Sequence, residues 1–110
     1  MPKVWITQDN KKNYTPAHRY GEPEFITNLE YSSIQNSTDN KEIHYHIKKA
    51  VSTYDPSNDY VLLSGDPIVI SLVIHNMLNE YGVITVLKWS GQDKMYIPIS
   101  LSDQGVDINK

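Results

Sequence analysis

Asp59-Tyr60-Val61-Leu62-Leu63-Ser64-Gly65-Asp66-Pro67 is the stretch whose reading decides the fold. Tyr60-Val61-Leu62-Leu63 is an apolar run of strand length. Ser64-Gly65-Asp66 is a turn, and Pro67 opens a helix. Asp66 can accept from the free N–H groups of a first helical turn. Pro67 at the first helical position loses only an N–H that would be unpaired there. Gly82 can take the left-handed conformation that ends the helix. Between them Val69, Ile70, Val73, Ile74, Met77, Leu78 and Tyr81 cover most of the circumference, leaving a narrow polar stripe of Ser71, His75, Asn76 and Asn79. A helix this apolar is packed on more than one side. Residues 68–70 would also suit a strand, and the stop signals decide for the helix.

Downstream, the β-branched run 83–89 and the alternating run 95–101 flank Ser90-Gly91-Gln92-Asp93-Lys94. A polar segment with a glycine between two such runs is a hairpin. Pro98 cannot donate to a ladder, so the last strand is an edge. If the strands near Tyr60 and Val83 pair in parallel, the helix between them makes a right-handed crossover.

Upstream, Val4-Trp5-Ile6-Thr7 is a first strand, with Trp5 in the core, and residues 8–21 are a long polar loop holding Pro16 and Gly21. Residues 25–31, with Phe25, Ile26, Leu29 and Tyr31, form a second strand, and 32–40 a polar linker. Asp39 followed by Glu42 resembles a capping box with Asp as the cap. Ile43, Ile47, Ala50, Val51 and Tyr54 then recur at helical spacing, and the helix stops before Pro56. The fold class is α/β: a small mixed β-sheet with two helices, a β-α-β crossover and a C-terminal hairpin. Residues 1–101 are read as a single α/β domain and 102–110 as a polar tail.

The chain has 110 residues, a net charge of -3 with His neutral, 39% hydrophobic and 21% charged residues. That composition belongs to a globular chain rather than a disordered one. Generic nucleic-acid binding relies on Lys and Arg neutralising phosphates, which a mildly acidic chain does not favour. The absence of Cys excludes disulfides, thiol catalysis and Cys-based zinc sites, and suits a reducing compartment. The start of the chain is too short and too quickly polar for a signal peptide. The longest apolar stretch, 68–77, is interrupted by Ser71, His75 and Asn76, so no membrane span is expected.

Several groups are candidates for chemistry. Ser64, Gly65 and Asp66 lie after a strand and before a helix, where ligands bind in open α/β sheets. One glycine is not a phosphate loop, and Asp66 puts negative charge where a phosphate would sit. The competing reading is a turn plus an N-cap; a ligand there would present a hydroxyl, amine or base edge to Asp66. His18 and Arg19, followed by Tyr20, form a loop suited to carboxylate, phosphate or base recognition, or a solvated loop whose aromatic bodies cover the sheet edge. Trp89 and Tyr96 lie near the hairpin mouth and, with Tyr20, offer a partner surface. On a helix His44 and His46 point about 200° apart at ~100° per residue, so no metal site and no cofactor is expected. Lys41, Lys48 and Lys49 with Tyr45 are either a strand-gripping face or the wet side of an amphipathic helix. No catalytic residue is assigned: a G-x-S-x-G elbow is absent, and Ser64 has no identifiable base.

The segments Val4-Trp5-Ile6-Thr7-Gln8-Asp9, Tyr14-Thr15-Pro16-Ala17, Asp59 through Pro67 and Val86-Leu87-Lys88-Trp89 resemble small uncharacterised proteins of tailed bacteriophages. The resemblance spans the chain to about Leu101. It implies an accessory protein made in the bacterial host cytoplasm and transfers no site residue. The leading expectation is a non-catalytic phage accessory protein that binds a host or viral protein, with nucleic acid as the other macromolecular partner. An exposed edge strand would also allow two copies to pair as a homodimer. The alternatives are a small-ligand, nucleotide-type binder using the crevice at Ser64–Asp66 with Arg19 nearby, and a hydrolase or nuclease built on His and Asp.

Overall fold

The computed structural model describes residues 1–103. Five strands form one mixed sheet: β1 (Lys3–Ile6), β2 (Glu22–Phe25), β3 (Tyr60–Leu62), β4 (Val83–Ser90) and β5 (Met95–Ser102), in the order β2-β1-β3-β4-β5. β1 runs parallel to both β2 and β3, and β3 parallel to β4; β5 is antiparallel to β4. Two helices complete the expected α/β architecture, α1 (Thr38–Thr53) between β2 and β3 and α2 (Pro67–Tyr81) between β3 and β4. α2 therefore joins parallel neighbours, which is the crossover predicted from residues 60–82, and β4 and β5 form the predicted hairpin.

The period-two alternation of the strands sorts the core into two faces. Trp5, Val61, Ile84 and Val86 pack with Ile43 and Ile47 of α1 and with Val69, Val73 and Met77 of α2. Val4, Ile6, Leu62 and Leu87 point the other way, against Tyr14, Ala17 and Tyr96. No described helix of α type covers that second face. The loop between β1 and β2, with a 3-10 turn at Thr15–Ala17, takes the place of a helix layer there. This explains its length: parallel neighbours need a crossover, and the crossover must also cover apolar side chains.

The caps show why the elements begin where they do. Asp66 Oδ1 accepts from the Ile68 N–H at 2.9 Å, and Gly82, at φ 80°, ends α2 with its N–H on the Leu78 carbonyl. α1 departs from the sequence reading, because its cap is Ser37, not Asp39. The Asn40 side chain is held by the backbone of Ser32, accepting from its N–H at 2.7 Å and donating to its carbonyl at 2.8 Å. That tie starts the helix at Thr38, two residues earlier than a cap at Asp39 would.

The second strand also departs from expectation. It occupies Glu22–Phe25 rather than 25–31. The Glu22 N–H donates to the Pro2 carbonyl, which sets the register, and β1 ends at Ile6, so residues beyond Thr27 have no strand to follow. Leu29 and Tyr31 turn inward against the helix-side core instead. Ser102, expected in the polar tail, closes β5, and the Asp103 N–H donates to the Gly82 carbonyl. The rest of that tail, 104–110, lies outside the described residues.

At the amino-terminal rim of the parallel strands, the buried Asp59 carboxylate ties β1 to the turn after α1. It accepts from the Lys3 N–H (2.9 Å), the Trp5 indole N–H (3.0 Å) and the Asp55 N–H (3.0 Å). Both sheet edges carry a proline whose backbone faces outward. The Leu87 carbonyl accepts from the Leu63 N–H, so Leu87 is directed at β3 and its partner Pro98 turns away from β4. In β2, Glu22 and Ile26 donate toward β1, so Pro23 between them faces outward by alternation. Such edges resist sheet extension.

Candidate functional site

The strand order turns back at β1, with β2 on one side of it and β3 on the other. In open α/β sheets a ligand crevice forms at such a point, outside the carboxyl ends of the strands. Here that point lies between Thr7-Gln8, after β1, and Ser64-Gly65-Asp66, after β3. The chain's own side chains fill it. Thr7 Oγ1 donates to the Ser64 carbonyl at 2.6 Å and accepts from the Ser64 N–H at 2.8 Å. The buried Gln8 accepts from the Asp66 N–H at 2.6 Å and donates to the Leu29 carbonyl at 2.7 Å. Gly65, at φ 93°, passes so close that a Cβ there would lie 2.8 Å from Gln8 Cβ. A glycine is required by both the conformation and the contact. The Asp66 carboxylate holds the Ile68 N–H with one oxygen and the Tyr31 N–H, at 2.9 Å, with the other.

Beside this plugged crevice, on the loop side of the sheet, Ser64 reappears in a hollow of about 300 Å³. Leu63 and Ser64 come from just after β3, Trp89 and Tyr96 from a directly paired position on β4 and β5, and Lys12 and Asn13 from the loop. The Trp89 and Tyr96 rings meet edge to face with centroids 5.0 Å apart. Trp89 is 45% exposed, whereas Tyr96 is buried. Burial, and secondarily the nearby Tyr14 hydroxyl, pushes the Tyr96 phenol above its ordinary range. Ser64 Oγ and the Tyr14 hydroxyl share a buried hydrogen bond of 2.9 Å. The Ser64 hydroxyl is thus paired with a phenol, not with an imidazole or carboxylate base. Tyr20 reaches the same wall from behind, its hydroxyl donating to the Tyr96 carbonyl at 3.0 Å.

His18 and Arg19 lie elsewhere. They line a depression with Pro2, Gly21 and Glu22, at the amino-terminal rim, with the Arg19 guanidinium over the Tyr20 ring at 5.4 Å. Asp66 stands at the opposite, carboxyl-terminal rim, where its partners are Gln8, Tyr31 and Ile68. The length of β1 separates them, so Arg19 is not beside the Ser64–Asp66 turn, and the expected grouping of the two is corrected. Of the eight candidate residues, Ser64, Trp89 and Tyr96 share the hollow, Tyr20 braces it, Gly65 and Asp66 belong to the plugged turn, and His18 and Arg19 face the other end.

A wider depression of about 710 Å³ lies on the helix side, lined by Tyr31, Ile34, Asn40, Lys41, His44 and Ile68 among others. Within it the Tyr31 hydroxyl and His44 Nε2 are 3.0 Å apart. His46 is tied separately, its Nδ1 3.0 Å from Thr27 Oγ1. Among the described residues no three His, Asp or Glu side chains stand together as a metal site would need. Sequence reasoning missed Thr7, Gln8, Lys12, Asn13 and Tyr14. Gln8 carried no signal, because a polar residue just after a strand reads as the start of a loop. Tyr14 had one: an aromatic inside a polar loop is a sign that the loop packs down on something.

A family model described as Phage Pam3 gp32-like protein matches residues 2–103, and the chain belongs to that phage protein family. No curated protein and no solved structure matches it. Among the described residues no helix is long and apolar enough to cross a membrane.

Proposed function

We propose that this phage protein is a non-catalytic accessory protein that binds a host or viral macromolecule, a protein first of all, in the cytoplasm of the infected bacterium. The carrying observation is the half-exposed Trp89 packed edge to face on the buried Tyr96, in a hollow also lined by Leu63 and Ser64. Trp and Tyr anchors beside a preformed pocket dominate the energetics of protein interfaces. The Tyr20–Tyr96 hydrogen bond fixes the aromatic wall before any partner arrives, which lowers the ordering cost of binding.

The small-ligand reading at Ser64–Asp66 has less support. A ligand there would have to displace Gln8 from the Asp66 N–H and from the Leu29 carbonyl. A hydrolytic reading lacks a base at Ser64, whose hydroxyl is held by Tyr14. The test is site-specific photo-crosslinking in infected cells. A crosslinking side chain at position 12, on the rim of the hollow, should capture a discrete partner. The same group at position 18, at the other end of the sheet, should not. Equal capture from both positions would refute the assignment of the hollow.

A further inference from the structure

One side chain fills the crevice beyond β1 and β3, and the walls around it are the complement of its head group. The Asp66 N–H donates to Gln8 Oε1 at 2.6 Å, and the Leu29 carbonyl accepts from Gln8 Nε2 at 2.7 Å. Gln8 is 4% exposed, and Gly65, at φ 93°, closes over it so that a Cβ there would lie 2.8 Å from Gln8 Cδ. Both polar walls are backbone and are held without Gln8. The Asp66 carboxylate accepts from the Ile68 and Tyr31 N–H groups, and the Leu29 N–H donates to Thr27 Oγ1 at 3.2 Å. One donor and one acceptor facing a single flat group select a primary carboxamide, which accepts with its oxygen and donates with its nitrogen. A carboxylate has no proton for the Leu29 carbonyl, and neither has a tertiary amide.

We propose that this crevice is a carboxamide-binding site that the chain keeps closed with its own Gln8. It lies where open α/β sheets take ligands, and Gln8, from the loop just after β1, occupies it as an internal ligand. The arrangement is autoinhibitory. A tethered group competes at an effective concentration that no free amide reaches, so the parent chain takes no amide from solution. Removing the side chain leaves the Asp66 N–H and the Leu29 carbonyl buried and unpaired, which carries the full desolvation penalty of each. A free primary amide of the right size then regains what Gln8 supplied. The neighbouring Thr7 and Ser64 offer a ligand no competing group, because the Thr7 hydroxyl is spent on the Ser64 backbone and the Ser64 hydroxyl on Tyr14. The proposal is independent of the hollow at Trp89 and Tyr96 and of what that hollow binds.

Gln8→Gly removes the amide and its stem and leaves both backbone walls, and formamide, which has the size of the missing amide group, is the probe. Thermal unfolding of the full chain is recorded for the parent and for Gln8→Gly with formamide, with formate and with N,N-dimethylformamide. Gln8→Gly should melt below the parent, and formamide should raise its melting temperature saturably, by at least about 3 °C beyond any effect on the parent. Formate and dimethylformamide should give no such gain. Gln8→Ala, which keeps the Cβ, should show the same order of the three probes with a smaller gain, and it carries the comparison if Gln8→Gly does not fold. Hydrogen exchange locates the site: the Asp66 amide should lose protection in the variant and regain it with formamide. Equal responses of parent and variant, or a gain with formate or dimethylformamide that matches formamide, overturn the proposal. A gain in melting temperature without renewed protection at Asp66 overturns it as well, since formamide would then bind elsewhere.

Discussion

The turn at Ser64–Asp66 and the hollow at Trp89–Tyr96 share a residue and a rim of the sheet, yet they differ in how their polar groups are used. In the turn, Thr7, Gln8, Asp66 and the backbone of Ser64 close on one another. In the hollow, Lys12, Asn13 and Trp89 keep donors without a partner among the described residues. Position in an α/β fold points to the first region; unspent hydrogen-bonding capacity beside an aromatic wall points to the second. A buried donor or acceptor with its partner in place stabilises the fold, and removing that partner costs about 1–3 kcal/mol. Substitutions in the turn should therefore move stability, and substitutions in the hollow should move binding.

The largest effect is expected at Gly65. Gly65→Ala sets a side chain against Gln8 and requires a positive φ of a residue that resists it. Chemical denaturation should show a loss of roughly 3 kcal/mol, combining backbone strain and overpacking. A Gln8→Ala background removes the Oε1 and Cδ clashes but keeps the Cβ at 2.8 Å, so the double mutant should recover part of the loss and cost less than the sum of the two single changes. Strict additivity would mean that Gln8 does not fill the crevice. Thr7→Val comes next. It removes both hydrogen bonds to the Ser64 backbone and should cost about 2 kcal/mol by the same measurement.

The alkaline limb of stability separates the helix side from the hollow. Tyr54 is pushed up to about 12, chiefly by burial, and Tyr81 and Tyr96 are raised in the same sense. A phenol with its folded pKa above the unfolded value of about 10 stabilises the fold fully below that pH. The contribution is lost as pH rises from the unfolded toward the folded pKa. Unfolding free energy should therefore fall between about pH 10 and 12, and Tyr54→Phe should flatten most of that fall. A smaller effect is expected at the edge. Pro98→Thr restores an outward N–H on β5, and sedimentation should show more self-association than the parent. An unchanged sedimentation profile would show that Pro98 does not guard the edge.

Much of this architecture could be read from local signals. The Asp66 cap, Pro67 and Gly82 bound α2 because each is a backbone rule that acts within a few residues. The hairpin and the edge position of Pro98 followed from composition for the same reason. Two errors have long-range causes. The second strand was set by a hydrogen bond from Glu22 to Pro2, and the cap of α1 by the grip of Asn40 on Ser32. Neither bond leaves a periodicity. The candidate site was legible in parts: Ser64, Trp89 and Tyr96 were each visible, while their meeting depends on the pairing of β3 with β4 and β4 with β5. Gln8 as a plug was not legible, since nothing local says that an amide will cross to the next strand's turn.

The proposed division of labour puts partner recognition in the hollow and stability in the adjoining turn. The most direct measurement pairs Trp89→Ala with Asp66→Ala, recording thermal unfolding and photo-crosslinking from position 12 for each. Trp89→Ala should lose only about 1 kcal/mol, from the ring contact with Tyr96, and lose the crosslinked partner. Asp66→Ala should lose about 2 kcal/mol, for the missing cap and the lost Tyr31 bond together, and keep the partner. The reverse pattern, with the partner lost in Asp66→Ala and kept in Trp89→Ala, would contradict it.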